Sequence, residues 1–252
     1  MTQSSDTEDF QPILSANYPG KKGTQLLLFL EFWLTLTLMC FINLPYYRLM
    51  VNHLWMLILL PLSIYGLFWQ FMGLTTLFST IIYKILIKIE PPKEGIFTLT
   101  SREFQYYSLR FWVCYYLLYF ARAMPLPWVD MFIFPIFGSK IGHNVVLYDS
   151  WIDPEFVNIG GSSMISLNTQ IFSHCIYKER FIVKQVVIEK NSIVGAGAIV
   201  APGTYIEEGA ILGANCSTAI DQKLQSYTIH IGSPANISLP IKLHNGENEV
   251  KK

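Results

Sequence analysis

Aliphatic side chains recur at every sixth position through the C-terminal part of the chain. Ile182, Ile188, Val194, Val200, Ile206 and Leu212 follow one another at this interval without a gap. An α-helix returns to one face every 3.6 residues and a strand every two, so neither element alone produces the spacing. A strand of a few residues followed by a tight turn does. Three such units close one triangular coil, and each repeating aliphatic then stacks on its counterpart in the next coil. The intervening residues suit this reading, as in Gly195-Ala196-Gly197-Ala198 and Glu207-Glu208-Gly209-Ala210.

An earlier array keeps the same interval: Ile141, Leu147, then Asp153 out of pattern, then Ile159, Ile165 and Ile171. Two interruptions stand out. Asp153-Pro154-Glu155-Phe156 breaks the first array, and the step from Ile171 to Ile182 is 11 residues instead of 12, with Ser173-His174-Cys175 inside it. Loops that leave a solenoid are where its chemistry is usually carried. His174 is therefore a candidate site residue. Asp153, Glu155 and Glu179 are the carboxylates available to orient it, with Asp153 and Glu155 preferred because they occupy the other interruption.

The chain has 252 residues, 52% of them hydrophobic and 14% charged, with a formal net charge of zero. A soluble domain carries roughly a quarter charged residues, so the deficit points to lipid, and the absence of a basic excess argues against nucleic acid as a partner. The apolar residues are concentrated before the repeats. Residues 1–23 read as a disordered polar tail and 24–137 as membrane-spanning and interfacial helices. Residues 138–240 read as the coil and 241–252 as a polar C-terminal tail. Thr24 to Leu44 is long enough to span a bilayer, which takes about 20 residues, and its Glu31 is expected to face a partner helix or reach the headgroups.

A second stretch, Leu54 to Leu86, exceeds one span and is expected to tilt or break, with Pro61 and Gly66 permitting a kink. Lys21, Lys22, Lys84, Lys88 and Lys93 then put the N-terminus and everything after Lys93 on the cytoplasmic side. Phe104 to Leu126, with Arg110, Arg122 and many aromatics, is expected to lie in the interface, the alternative being a crossing that would put the C-terminal part outside. Cys40, Cys114, Cys175 and Cys216 show no metal-ligand or disulfide spacing, and the histidines do not form a zinc set, so no metal is expected.

Residues 138–240 resemble the hexapeptide-repeat acyltransferase superfamily. The matching pieces are Gly138-Ser139-Lys140-Ile141-Gly142, the run from Val187 to Thr204, and Ile231-Gly232-Ser233-Pro234-Ala235. The stretch Ile152 to Gly160, with Pro125-Leu126-Pro127 and a preceding hydrophobic helix, resembles the membrane-linked C-terminal domains of non-ribosomal peptide synthetase-like proteins of the poly-lysine synthetase type. The resemblance implies a left-handed parallel β-helix behind an α-helical membrane anchor, assembled as a homotrimer. It also implies acyl transfer from acetyl-CoA or another acyl thioester to a hydroxyl or amine, with the thioester as co-substrate and no tightly bound cofactor.

By the same resemblance His174 is the base, and Gly195, Ala196, Gly213 and Ala214 allow close approach of the thiol arm. Those small residues also suit tight coil corners for purely steric reasons. Lys184, Lys190 and Lys223 are the candidates for the coenzyme's phosphates. The loop Cys175 to Arg180 departs from the acidic, glycine-rich segment expected beside the histidine. The anchor suggests a lipid bilayer partner and a membrane-linked acceptor. A non-catalytic β-helix scaffold in a membrane complex is the competing expectation.

Overall fold

A computed structural model of the protein describes residues 21–53, 58–123 and 128–241. The polar tails over 1–20 and 242–252, and Pro125-Leu126-Pro127, lie outside the described residues.

Helices α1 (Lys21–Asn52) and α2 (Leu60–Ile89) form an antiparallel pair. Ser79 of α2 donates to Glu31 of α1, Asn43 donates to Gln70 at 2.6 Å, and the hydroxyls of Tyr46 and Ser63 meet. Rising numbers on one helix match falling numbers on the other, so Lys21 and Ile89 lie at the same end. Both helices are long and apolar enough to cross a membrane. Glu31 faces α2 and is buried, which resolves its two expectations in favour of helix pairing.

Two local readings are corrected. The first helix does not stop at Leu44 but continues through Pro45 to Asn52. Proline removes one main-chain donor, yet Asn43 and Tyr46 on either side are tied to α2. Pro61 lies in the first turn of α2, where its missing N–H costs nothing, so it starts the helix instead of kinking it.

After α2 come a short strand, β1 (Gly95–Thr98), and helix α3 (Arg102–Ala121). Ser101 caps α3 by accepting the N–H of Phe104 at 3.2 Å, satisfying one of the free donors of the first turn. The helix runs back along α2, from the Arg102–Glu90 ion pair at one end to the edge-on packing of Phe71 and Phe120 at the other. A one-face stripe of α3, including Tyr107, Arg110, Cys114 and Leu118, is buried. The short helix α4 (Asp130–Ile136) then leads into the coil.

The coil has three parallel sheets visited in turn. One holds β2 (Lys140–Ile141), β5 (Val157–Ile159), β10 (Val186–Ile188), β13 (Tyr205–Ile206) and β15 (Lys223–Leu224). The second holds β3 (Val146–Leu147), β6 (Met164–Ile165), β11 (Ile193–Val194), β14 (Ile211–Leu212) and β16 (Thr228–Ile231), with β17 (Ile237–Pro240) antiparallel at its edge. The third holds β4 (Trp151–Ile152), β7 (Gln170–Ile171) and β12 (Ile199–Val200). From Ile152 to Val200 every inward aliphatic is at most 3% exposed, and each such burial stabilises the fold by about 1.5–3 kcal/mol.

The period also sets the corners. The third residue after an inward position adopts a positive φ, between 51° and 78°, at Asn144, Ser162, Asn168, Asn191, Gly197, Gly203, Gly209, Asn215, Asp221 and Tyr227. Gly, Asn and Asp dominate because they enter this region at least cost. The device is missing after Leu147, Ile152 and Ile171, where Ser150, Glu155 and His174 do not have a positive φ. The coil departs from its repeat at these corners.

The ladder itself is corrected at two places. Ile152, not residue 153, points inward, so Asp153 is the first residue beyond it. Ile182 is not a ladder residue. It sits in β9 (Arg180–Val183), which forms an antiparallel hairpin with β8 (His174–Tyr177), and β1 adds to the other edge of β9. The ladder resumes at Ile188, so the insertion is a whole hairpin and not one altered unit.

Candidate active site

The two interruptions meet in space. Asp153 is fully buried, and its Oδ2 accepts from Ser173 N at 2.6 Å, Ser173 Oγ at 3.1 Å, His174 N at 3.2 Å and His174 Nδ1 at 2.6 Å. Its Oδ1 has no hydrogen-bond partner among the described residues. With the carboxylate accepting, Nδ1 carries a hydrogen, and in a neutral imidazole the lone pair is then on Nε2. Which nitrogen is basic is set by the bond the other one makes. The His174 side chain is 24% exposed, and its hydrogen bonds to described residues all fall on Nδ1.

Tyr107, from α3, also reaches Nδ1, with its hydroxyl 2.9 Å away. Aromatic rings surround the imidazole: Tyr107 at 5.2 Å between centroids, Phe111 at 5.7 Å, Phe181 at 5.8 Å and Phe172 at 6.3 Å. Burial pushes the Tyr107 hydroxyl well above its ordinary pKa, and the nearby Asp153 and Glu155 carboxylates add to the shift. The phenol therefore stays protonated.

Glu155 does not orient His174. It pairs with Arg110 of α3, whose Nη2 donates to Oε2 at 3.1 Å while Nε donates to Oε1, and Tyr83 of α2 donates to the same Oε1 at 3.3 Å. Arg110 Nη1 donates to the carbonyl of Glu90 at 2.9 Å. The expectation that Glu155 and Asp153 share one role is thus corrected. They are two residues apart, but Pro154 lies between them and Glu155 turns toward the helices. Glu179, at the hairpin turn, is exposed.

Helix α3 grips the whole interrupted loop. Arg122 Nη2 donates to Ser150 O at 2.8 Å, and Tyr115 Oη donates to Ile152 O at 2.8 Å with its ring stacked 4.1 Å from that of Trp151. With Arg110 on Glu155 and Tyr107 on His174, one helix holds residues from 150 to 155 and the base as well. Arg110 and Arg122, expected at the membrane interface, bond to the interrupted loop of the coil. An arginine within an apolar stretch that buries one face needs an acidic partner, and that signal was available. The hydroxyls of Tyr107 and Tyr115 carried none.

The four small residues lie elsewhere. Gly195 and Gly213 follow the inward residues Val194 and Leu212, at the corner between the second and third sheets, whereas His174 is at the corner between the third and the first. A Cβ on Gly195 would lie 2.5 Å from Ala214 N and 2.7 Å from Gly213 C, so close stacking of coils requires glycine there. At Gly213 the nearest atom would be the Ile231 side chain at 3.0 Å. Ala196 and Ala214 are exposed. The three lysines proposed for phosphates are each paired: Lys184 with Asp221, Lys190 with Glu208 at 3.4 Å, and Lys223 with Glu207 at 2.7 Å.

No family model matches the sequence, and no curated protein matches it. Solved structures similar to the chain include a maltose O-acetyltransferase from Clostridium difficile 630, at 15% identity, covering 63% of this chain and 95% of that one with a TM-score of 0.48. A hexapeptide-repeat-containing acetyltransferase from Vibrio cholerae is similar at 16% identity over 56% of this chain and 93% of that one, with a TM-score of 0.45. A serine acetyltransferase in complex with CoA is similar at 15% identity over 64% and 68%, with a TM-score of 0.34. At these values the likenesses assign neither an activity nor a ligand to this chain.

Proposed function

We propose that the protein is a membrane-anchored acyltransferase that moves an acyl group from coenzyme A, or another pantetheine thioester, to a hydroxyl or amine. The observation that carries this is the 2.6 Å contact between His174 Nδ1 and the buried Asp153 carboxylate, which leaves Nε2 as a base. In the reaction Nε2 takes the proton of the acceptor O–H or N–H as that atom attacks the thioester carbonyl. The tetrahedral oxyanion collapses, the C–S bond breaks, and the leaving thiolate takes the proton from the imidazolium. Backbone N–H groups at the irregular corners are suited to stabilise the oxyanion.

The winding is proposed to be left-handed, following the resemblance of the repeats. The assembly is proposed to be a homotrimer with the coil on the cytoplasmic side. Two features support a neighbouring copy. The small residues expected to admit a thiol arm and His174 occupy different corners of one prism, so a second chain is needed to bring the two together. The second sheet also turns Val146, Met164, Ile193 and Ile211 outward in register as an aliphatic stripe. The bilayer assignment rests on the apolar surfaces of α1 and α2, and on exposed Trp112, Tyr119 and Trp128, residue types that favour the headgroup level. An acceptor carried by the membrane would then meet the site from the helix side.

A second reading, a non-catalytic scaffold, is favoured by the aromatic rings packed around His174. One experiment separates the two. The purified chain in lipid nanodiscs is given acetyl-CoA and a panel of hydroxyl- and amine-bearing lipids, and released thiol and acylated product are measured. Acyl transfer that falls by roughly 100-fold or more in folded His174→Ala, with thioester affinity unchanged, is the expected result. Absence of product across the panel, or full activity in His174→Ala, would leave the scaffold reading.

A further inference from the structure

Tyr107 is brought to His174 by α3, 67 residues away in sequence. The residue is 5% exposed, and its ring packs on Phe111, stacked at 6.1 Å between centroids, and on Phe181 at 4.9 Å. The hydroxyl meets the same ring nitrogen as Asp153, not the nitrogen left for chemistry. A phenol oxygen has two lone pairs and one hydrogen, so it has the capacity to accept from Nδ1–H.

We infer that Tyr107 is a positioning residue for the base: with Asp153 it forms a two-acceptor cradle for Nδ1–H that sets the imidazole's rotation and stabilises the imidazolium formed during transfer. The geometry stands independently, while the catalytic consequence rests on the acyl-transfer reading. An imidazole held by one carboxylate can still swing about its Cβ–Cγ bond. A second acceptor, on a ring locked in the core, removes that freedom. As Nε2 gains a proton the Nδ1–H becomes a stronger donor, and both bonds strengthen at the point where charge develops. The cradle also ties the base to the helix that packs on α2, so the bundle contributes directly to the site.

The test compares the full-length parent, Tyr107→Phe and Tyr106→Phe in nanodiscs. The variant at 107 keeps the ring and loses only the hydroxyl, and the one at 106 is the control. Histidine nitrogens are labelled with 15N, and the His174 signals are identified by their loss in His174→Ala. Loss of one ordinary hydrogen bond, here one arm of a shared pair, corresponds to about threefold to tenfold. Tyr107→Phe is therefore expected to lower kcat by about that factor at unchanged thioester KM, and to move the His174 titration midpoint and the acid limb of the kcat profile down by about half to one pH unit. Tyr106→Phe is expected to change neither. A folded Tyr107→Phe protein whose His174 midpoint matches the parent would overturn the inference. If the parent transfers no acyl group, the acyl-transfer reading falls while the midpoint still decides whether Tyr107 holds the ring.

Discussion

Arg110 and Glu155 form an ion pair in which each side chain is only 3% exposed, and it joins α3 to the first turn of the coil beyond Ile152. Arg110 also donates to Glu90 O at the end of α2. Two helices and the coil therefore share one guanidinium. Glu155 sits two residues from Asp153, so the pair ties that loop to the helices.

Removing one member of this pair should cost far more than removing both. Arg110→Met or Glu155→Gln is expected to destabilise the chain by about 3–5 kcal/mol, because the remaining group is left buried without its partner. The double replacement Arg110→Met with Glu155→Leu is expected to recover much of that loss. Burial pushes the Glu155 carboxyl up, against the pull of Arg110, and loss of Arg110 pushes it further. A raised folded pKa means stability present below the unfolded value, about 4.3, and lost as pH rises through the folded one. Arg110→Met should accordingly be closest to the parent near pH 4 and fall behind toward pH 8, as measured by denaturant unfolding in detergent.

Asp153→Asn keeps the shape of the side chain and removes its charge. The ring of His174 then loses the negative charge that favours the Nδ1–H form and stabilises the imidazolium, and kcat is expected to fall by roughly 100-fold or more at unchanged thioester KM. Stopped-flow thiol release at saturating thioester reads this out. A variant with parental kcat would show that the contact is structural.

Gly195 and Ala214 separate coil packing from ligand contact. Gly195→Ala places a methyl 2.5 Å from a backbone nitrogen, so it is expected to destabilise the fold by about 1–3 kcal/mol whatever the ligand. Ala214→Val, on an exposed position, is expected to leave the melting temperature unchanged and to raise KM for acetyl-CoA. Equal KM in Ala214→Val and parent would remove Ala214 from the thioester site.

The topology is open to labelling. On a background lacking the four native thiols, a cysteine at Tyr227, on the coil, should react with an impermeant maleimide only from the cytoplasmic side. One at Val51, 78% exposed at the far end of α1, should react only from the other. Labelling of both from the same side would exclude a two-span arrangement.

The sequence alone specifies the part of the fold built from neighbours along the chain. The inward aliphatics from Ile188 to Leu212 follow from period alone, because each coil stacks on the one before it and the contact recurs at a fixed sequence distance. The apolar length of α1 and α2 was legible for a similar reason, since a helix satisfies its own backbone. His174 and Asp153 were found as breaks in that regularity. Their 2.6 Å contact was not, nor was the choice of Asp153 over Glu155, which depends on which side of Pro154 faces the coil and which faces α3. Ile182 kept the hexapeptide interval yet left the ladder, because pairing with β1 and β8 offered its segment a full set of backbone partners outside the coil. Tyr107 and Arg110 acquired their partners only when α3 packed between α2 and the coil. Periodic stacking is a local property that a sequence displays directly. The partner of a buried polar group is decided by the packing of segments distant in the chain, and only the tertiary structure decides it.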